Sequence, residues 1–268
     1  MKTIYFLWAW LFGRPFLNKF NRLMFSLSLR GMGIFNYTSC SLSGEKWLIE
    51  NVVKKLGKDL LIFDVGANIG EYSKSLIDGG VSVKQIFAFE PHPKTFDILK
   101  QNTKQMGALI PVQAALSDHQ AEMMLFDRAD QEGSPHASLS ETIFSEVHAI
   151  GYTQRKVRVD TIDMFCAGND IKAIDFLKID VEGFELNVLQ GSRGMIGKNN
   201  VRMIQFEFTQ LNSTVGIFFK QIYDILSSKY HIYRLLPHGL EKIEKYNPTT
   251  CEIFGYQNFA AILKTETV

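Results

Sequence analysis

A short apolar run that ends in an acid and a glycine loop constrains the fold more than any other feature of this sequence. The run covers residues 60–64, LLIFD, and the loop continues as VGANIG to Gly70. Unbroken hydrophobicity before the acid is typical of a parallel strand that is buried on both faces. Because doubly wound sheets bind ligands at the carboxyl ends of their strands, the loop also marks a candidate site.

Strand and helix patterns alternate along the following chain. The sequence predicts strands at residues 85–90, 109–114, 123–126, 156–160, 174–180 and 201–208, and helices at residues 43–56, 94–105 and 184–190. This alternation predicts βαβ units and a parallel sheet five or six strands wide. Two later strand patterns, at 230–236 and 256–263, have no helix between them and predict an antiparallel pair at one edge. The polar residues 127–155 predict a long mobile insertion.

Composition and charge limit the class of protein. The chain has 268 residues, of which 46% are hydrophobic and 21% charged, so it is neither a disordered nor a disulfide-stapled protein. A net charge of +1 argues against a nucleic-acid partner. The three cysteines form no C-x-x-C pair, which favours a reducing environment and predicts a cytoplasmic protein.

The N-terminus differs in charge from the remainder. Residues 1–44 contain five basic side chains and no acidic one. Their nine-residue apolar run, 4–12, is far shorter than the ~20 residues that span a bilayer. Apolar residues at helical spacing follow, and two interpretations stay open: residues 1–30 lie on the inner surface of the membrane, or they pack on protein. We therefore divide the chain into a basic aromatic helical segment, 1–42, and a main domain, 43–268.

A second motif, FEPHP at residues 89–93, supports a nucleoside ligand. Its acid, Glu90, follows Gly66 by 24 residues, the approximate spacing at which an acid accepts hydrogen bonds from ribose hydroxyls. The loop lacks the third glycine of a G-x-G-x-x-G motif, which disfavours a dinucleotide. Asp64 suits a cationic or hydrogen-bond-donating ligand.

A third motif, DFLKIDVEGFE at residues 175–185, carries the candidate chemistry. Asp180 and Glu182 end another predicted strand and are expected in the same crevice. A divalent metal held by these acids, by Glu207 or by a histidine is a rival hypothesis, because hard cations prefer carboxylate oxygens. His92 and His136 are possible accessory bases.

Together with AALSD at 114–118, IQFEF at 204–208 and YQNFAAIL at 256–263, these motifs make residues 43–263 resemble the FkbM-type S-adenosylmethionine-dependent methyltransferases. The resemblance implies an α/β fold with a Rossmann-like, doubly wound sheet of about seven strands and an antiparallel C-terminal edge. It also implies S-adenosylmethionine as cofactor and O-methylation of a hydroxyl on a sugar, glycan or related acceptor.

The resemblance assigns roles to individual residues. It implies that Asp180, Glu182 and Glu207 are the catalytic acids, without saying which is the base. It implies cofactor contacts from the glycine loop, the ribose-binding acid, the segment beside adenine and the acid near the methyl group: Asp64, Gly66, Ala67, Asn68, Gly70, Glu90, Pro91, Ser117, Asp118 and Asp180.

Two other functions are compatible with parts of the sequence. An NAD-linked oxidoreductase would use the same fold and ribose-binding acid, although the missing glycine argues against it. A non-catalytic membrane adaptor would explain the basic aromatic N-terminus. The acceptor, the oligomeric state and the need for a metal are not determined by the motifs.

Overall fold

The computed structural model describes residues 2–130, 133–134, 136–148 and 151–266. The strands within these residues are β1 (Leu60–Val65), β2 (Val83–Phe89), β3 (Leu109–Val112), β4 (Ala115–Leu116), β5 (Ala121–Arg128), β6 (Tyr152–Asp160), β7 (Ile174–Ile179), β8 (Val201–Phe208), β9 (Tyr230–Leu236), β10 (Gly239–Lys242) and β11 (Gln257–Leu263).

Helices flank the strands and precede them at the N-terminus. They are α1 (Lys2–Phe12), α2 (Asn18–Gly31), α3 (Glu45–Asn51), α4 (Glu71–Asp78), α5 (Pro93–Thr103), α6 (Ile162–Gly168), α7 (Glu185–Gln190), α8 (Arg193–Gly197), α9 (Gln210–Thr214), α10 (Phe219–Leu226) and α11 (Pro248–Cys251). The sequence patterns predicted neither α4 nor α10.

The main sheet has the order β10-β9-β11-β8-β7-β1-β2-β3, eight strands in the described residues. Strands β8, β7, β1, β2 and β3 run parallel, whereas β11 lies antiparallel to both β8 and β9. This confirms the predicted Rossmann-like α/β class and its antiparallel C-terminal edge. The sheet exceeds the expected seven strands because β9 continues into β10 through a tight hairpin, which pairs locally at low entropic cost.

A separate small sheet, β4-β6-β5, contains two strands that the sequence analysis assigned to the main sheet. That assignment was wrong, because β5 and β6 pair with each other in antiparallel register from Ala121↔Val159 to Arg128↔Tyr152. Both strands are longer than their patterns, since exposed polar residues on one side of the hairpin hide the alternation. The insertion is therefore shorter than the predicted 127–155, because β5 extends to Arg128 and β6 begins at Tyr152. A helical turn occupies Ile143–His148.

Apolar side chains fill both faces of the main sheet. Phe63 on β1 packs against Phe87, Phe89 and Phe165 on one face, with ring centroids 5.3–5.6 Å apart. Its neighbour Ile62 belongs to the cluster on the opposite face. Burial of successive residues on opposite faces explains the continuous apolar run of β1, which has no period of two.

The N-terminal helices contact the main domain unequally. No residue of α1 is buried, and Tyr5, Phe6 and Trp10 are each more than 60% exposed. The end of α2 and the following residues do pack, because Leu29 and Ile34 are buried. Among the described helices, none is long and apolar enough to cross a membrane. The division between residues 42 and 43 stays a prediction.

Candidate active site

A cavity of about 830 Å³ opens at the carboxyl ends of β1, β2, β7 and β8. This volume lies within the usual range for small-molecule sites, roughly 300–1,000 Å³. The glycine loop, the Glu90 turn and the Asp180 turn all contribute to its wall. Three sequence motifs that are separated by up to 120 residues therefore surround one space.

The glycine loop forms one wall and depends on backbone geometry. Gly66 has φ +82°, and a Cβ there would lie 1.7 Å from the Asp180 carbonyl oxygen. The N–H groups of Gly66 and Ala67 donate to the Phe89 carbonyl oxygen at 3.1 and 2.9 Å. Asn68 also adopts a positive φ, 49°. A residue without Cβ is required at Gly66, because the loop passes directly over the neighbouring strand end.

Glu90 joins the loop to the end of β2. Its two carboxylate oxygens accept hydrogen bonds from the backbone N–H of Asn68 at 3.1 Å and of His92 at 2.7 Å. Burial raises the pKa of Glu90 to about 7, although both hydrogen bonds favour the charged form. We call Gly66, Ala67, Asn68 and Glu90, with the adjacent Pro91, the glycine-loop side of the cavity.

The Asp180 turn forms the part of the wall next to the glycine loop. Lys178 donates to Asp180 Oδ2 at 3.0 Å, and the Asp180 N–H donates to the Val65 carbonyl oxygen at 3.0 Å. Glu182 adopts φ 51° and lies 3.5 Å from His136 Nδ1. Burial raises the pKa of Glu182, and the nearby Asp180 charge raises it further, whereas His136 opposes the shift.

Glu185 holds this turn in place, a role that its sequence position did not reveal. One carboxylate oxygen accepts from the N–H of Val181 at 3.3 Å and of Gly183 at 3.1 Å, and the other accepts from the Asn212 amide at 2.8 Å. Burial raises the pKa of Glu185 to about 7.

Glu207 projects into the cavity from β8 and is 8% exposed. Among the described residues, no donor lies within hydrogen-bond distance of its carboxylate. Burial raises its pKa well above the ordinary value, and the neighbouring acids Asp180, Glu182 and Glu185 add to the shift. We call Asp180, Glu182 and Glu207 the carboxylate side of the cavity.

Lys178 is buried beneath the carboxylate side. Its ammonium lies 3.0 Å from Asp180, 3.8 Å from Asp64 and 4.9 Å from the centre of the Tyr72 ring. Burial would lower the pKa of Lys178, but the charges of Asp180, Asp64 and Glu45 outweigh it and hold the pKa above its ordinary value. A lysine inside an apolar strand, as in DFLKID, is the sequence signal that the motif analysis left unused.

Residues that are distant in sequence complete the layer around Lys178, beneath the carboxylate side. Gln205 on β8 donates to Glu45 at 3.0 Å and accepts from the Tyr72 hydroxyl. Glu45 also accepts from Ser43 at 2.9 Å. The sequence analysis missed Glu45, Tyr72 and Gln205 because no local pattern connects α3, α4 and β8.

The insertion covers part of the cavity and is fastened to both walls. Ser138 donates to the Glu182 carbonyl oxygen at 2.9 Å. On the other side, Asp127 lies 3.4 Å from His92 Nε2 and accepts from the Ser134 hydroxyl at 2.6 Å. His92 is buried in this contact, which makes it a structural link between β2 and the insertion.

Four predicted cofactor-binding residues do not lie on the cavity wall. Asp64 is completely buried behind the loop, where it accepts from Ser73 at 2.6 Å. Gly70 begins α4 with φ 89°. Ser117 is buried and donates to Asp118, which faces solvent; the preceding residues 114–116 line the wall instead. Direct contact by these four residues stays a prediction without geometric support.

The carboxylates do not gather in the manner of a metal centre. In the ranges described above, no group of three or more histidine, cysteine, aspartate or glutamate residues has an arrangement able to hold a metal ion. Asp180 is instead engaged by Lys178, and Glu182 lies beside His136.

The sheet and its cavity define a Rossmann-like α/β protein with a ligand site at the carboxyl ends of its strands. Residues 64–235 match the domain described as the methyltransferase FkbM domain. The chain therefore belongs to the FkbM methyltransferase family, as the motifs predicted.

Two curated relatives share part of the sequence. The hexuronic acid methyltransferase AglP of Haloferax volcanii is 29% identical over 61% of this chain and 63% of its own length, so the match leaves more than a third of that protein uncovered. The 2-O-methyltransferase NoeI of Sinorhizobium fredii is 23% identical over 68% of this chain and 77% of its own. A crystal structure of methyltransferase FkbM from Methylobacillus flagellatus matches 76% of this chain and 43% of its own, with 16% identity and a TM-score of 0.47.

Proposed function

We propose that this chain is an S-adenosylmethionine-dependent O-methyltransferase that modifies a hydroxyl of a sugar, glycan or related acceptor. The observation that carries the proposal is one cavity that is lined by a backbone loop with Glu90 and also by the acids Asp180, Glu182 and Glu207. Membership of a methyltransferase family supports it, as do relatives named as a hexuronic acid methyltransferase and a 2-O-methyltransferase. The oxidoreductase and adaptor hypotheses receive no such support.

The glycine-loop side suits the cofactor. The absence of a side chain at Gly66 lets a ligand approach the backbone closely, and the Glu90 carboxylate would accept hydrogen bonds from two ribose hydroxyls. Ala67, Asn68 and Pro91 would complete this contact. When bound, S-adenosylmethionine supplies an electrophilic methyl group on a positively charged sulfur. The acids of the carboxylate side would stabilise that charge.

An apolar part of the cavity wall beside the glycine loop suits the adenine ring. Residues 114–116 and Leu125 line the wall just before Ser117 and Asp118. We assign adenine packing to this surface. Ser117 and Asp118 would then support the segment from behind, and Asp64 and Gly70 would shape the loop in the same indirect way.

The carboxylate side suits the acceptor. Glu207 faces the cavity with a raised pKa and no donor from the described residues, so we assign it as the base that takes the acceptor proton. Asp180, held by Lys178, would orient the hydroxyl. Glu182 would do the same beside His136. None of these steps uses a metal ion.

We also propose peripheral membrane contact through residues 1–30. Helix α1 exposes its aromatic side chains, and no acid offsets the basic residues of this segment. Each basic residue near an anionic surface contributes roughly 1 kcal/mol. Tyr37 and Cys40, which follow α2, line the cavity, so a membrane-bound α1 would hold the opening near an acceptor on a lipid carrier. A cytoplasmic enzyme on the inner membrane surface fits this arrangement.

Transfer of a labelled methyl group tests the enzymatic proposal. The full chain is incubated with labelled S-adenosylmethionine and a panel of glycans and hydroxylated lipids. Asp180→Asn should lose most of the transfer while binding the cofactor within about threefold of wild type. Asp170→Asn, on an exposed turn before β7, is the matched control and should be active. Absence of transfer to every acceptor, or full activity of Asp180→Asn, would contradict the proposal.

Sedimentation with vesicles tests the membrane proposal independently. Full-length protein should sediment with anionic vesicles, less at high salt, and little with neutral ones. Trp8→Ser with Trp10→Ser should reduce binding, whereas Ile98→Ser, an exposed apolar residue of α5, should not. Equal sedimentation of all three proteins would assign α1 to protein contacts instead.

A further inference from the structure

The charged side chains on the cavity wall are almost all acidic. They are Glu45, Glu71, Glu90, Lys178, Asp180, Glu182 and Glu207. Lys178, the one lysine or arginine on this wall among the described residues, is already held by Asp180 and Asp64. The undescribed residues 131, 132, 135, 149 and 150 include no lysine or arginine in the sequence. Within the part of the chain that the structure describes, the wall therefore offers an anionic acceptor no lysine or arginine that is not already paired.

Glu207 presents its carboxyl group to the cavity. Its side chain is more than nine-tenths buried, faces the cavity and has no donor within hydrogen-bond distance among the described residues. A ligand hydroxyl can donate a hydrogen bond to this carboxyl group or accept one from it. A ligand carboxylate or phosphate would add a negative charge to a wall that already carries Asp180, Glu182 and Glu207.

Two aromatic rings stand at the same opening. Tyr37 and Tyr256 pack edge to face with their centroids 5.9 Å apart, and both line the cavity. Tyr37 is 62% exposed, so much of its surface is open to a ligand. The C–H face of a pyranose ring is apolar and buries surface against such rings, while its hydroxyls reach towards acids.

From these three observations we propose that the acceptor is an uncharged sugar, and that the site rejects a sugar with a carboxylate or phosphate beside the reacting hydroxyl. The proposal rests on the proposed methyltransferase activity and narrows its substrate class. It differs from the substrate named for the Haloferax relative, a hexuronic acid.

Matched glycosides separate charge from shape. Transfer from labelled S-adenosylmethionine is measured with full-length protein on neutral hexosides, the corresponding hexuronosides and the methyl esters of those hexuronosides. We expect kcat/KM to fall roughly 10- to 100-fold from hexoside to hexuronoside, as for an unscreened like charge several ångströms from the acids. The ester removes the charge with little change of shape and should restore most of the rate.

A charge added at the opening sharpens the test. Cys40 is exposed on the wall and has no other role in the site. Cys40→Arg should lower the ratio of kcat/KM on hexosides to kcat/KM on hexuronosides. Cys40→Gln also introduces a long polar side chain but carries no charge, so it should leave this ratio unchanged. Equal rates on hexosides and hexuronosides, or an ester as poor as the acid, would overturn the proposal. Transfer to none of the sugars would remove the underlying activity, and the proposal with it.

Discussion

The two sides of the cavity are built from different material. The glycine-loop side presents mainly backbone, shaped by Gly66 and Asn68 in left-handed conformations and held by Glu90. The carboxylate side presents side chains from separate elements: Asp180 and Glu182 follow β7, and Glu207 lies on β8. The glycine-loop side is therefore mainly a backbone turn, whereas the carboxylate side combines side chains from separate elements.

This difference separates two kinds of recognition. A backbone loop offers the same N–H and C=O groups whatever acceptor the enzyme uses, so it suits an invariant cofactor. Side chains and an insertion can vary without disturbing β1, so they suit a particular acceptor. We therefore expect substitutions on the two sides to affect different steps.

The largest effect should come from a substitution at Gly66, because this residue of the glycine-loop side lies directly against Asp180 of the carboxylate side. Gly66→Ala would place a Cβ 1.7 Å from the Asp180 carbonyl oxygen and must displace the loop or the opposite turn. We expect cofactor binding and methyl transfer both to fall below detection, with a lower melting temperature. Gly107→Ala, which has open space around it, is the control for calorimetry and thermal unfolding. Normal cofactor affinity in Gly66→Ala would contradict the geometry of the loop.

Glu207→Gln should affect the carboxylate side alone. Loss of a general base costs about 10²- to 10⁴-fold in kcat. Cofactor affinity, measured by calorimetry, should stay within about threefold of wild type, because Glu207 is not in the glycine loop. The exposed Glu122→Gln on β5 is the matched control. A kcat near the wild-type value would assign the base to Asp180 or Glu182.

Glu90→Ala should affect the glycine-loop side alone, weakening cofactor binding by about 1–3 kcal/mol. Because ribose hydroxyls donate to the carboxylate, binding favours its ionised form. With a pKa of about 7, Glu90 is mostly protonated at pH 6 and mostly ionised at pH 8, so wild-type affinity should rise about tenfold over this interval. Calorimetry at both pH values should show no such rise for Glu90→Ala. An equal rise in both proteins would place the titrating group elsewhere.

The smallest effect should come from the insertion. His136 is half exposed and lies beside Glu182. Because solvent screens such an ion pair, it contributes about 1 kcal/mol or less to holding the insertion against the cavity wall. The hydrogen bond to Glu182 raises the pKa of His136, so the contribution is present where His136 is protonated and Glu182 is ionised, and it is lost as the pH rises through the raised pKa of His136. His136→Ala should raise the KM for the acceptor less than about fivefold, and less at pH 9 than at pH 6. His119→Ala, an exposed histidine beside Asp118, should not change it.

The sequence by itself determined the parts of this protein that depend on neighbours along the chain. The apolar run of residues 60–64, its glycine loop and the acid at Glu90 predicted the α/β class, the strand ends and the glycine-loop side, because a turn is specified by the few residues that form it. The motifs also predicted the family.

Only the tertiary structure decided how distant side chains meet. Lys178 approaches Asp64, and Gln205 joins Glu45 to Tyr72, through contacts that span more than a hundred residues. The pairing of β5 with β6 was decided in the same way, since exposed polar residues concealed the alternation. Patterns along a chain record local backbone preference and burial, whereas these contacts depend on which strands lie side by side.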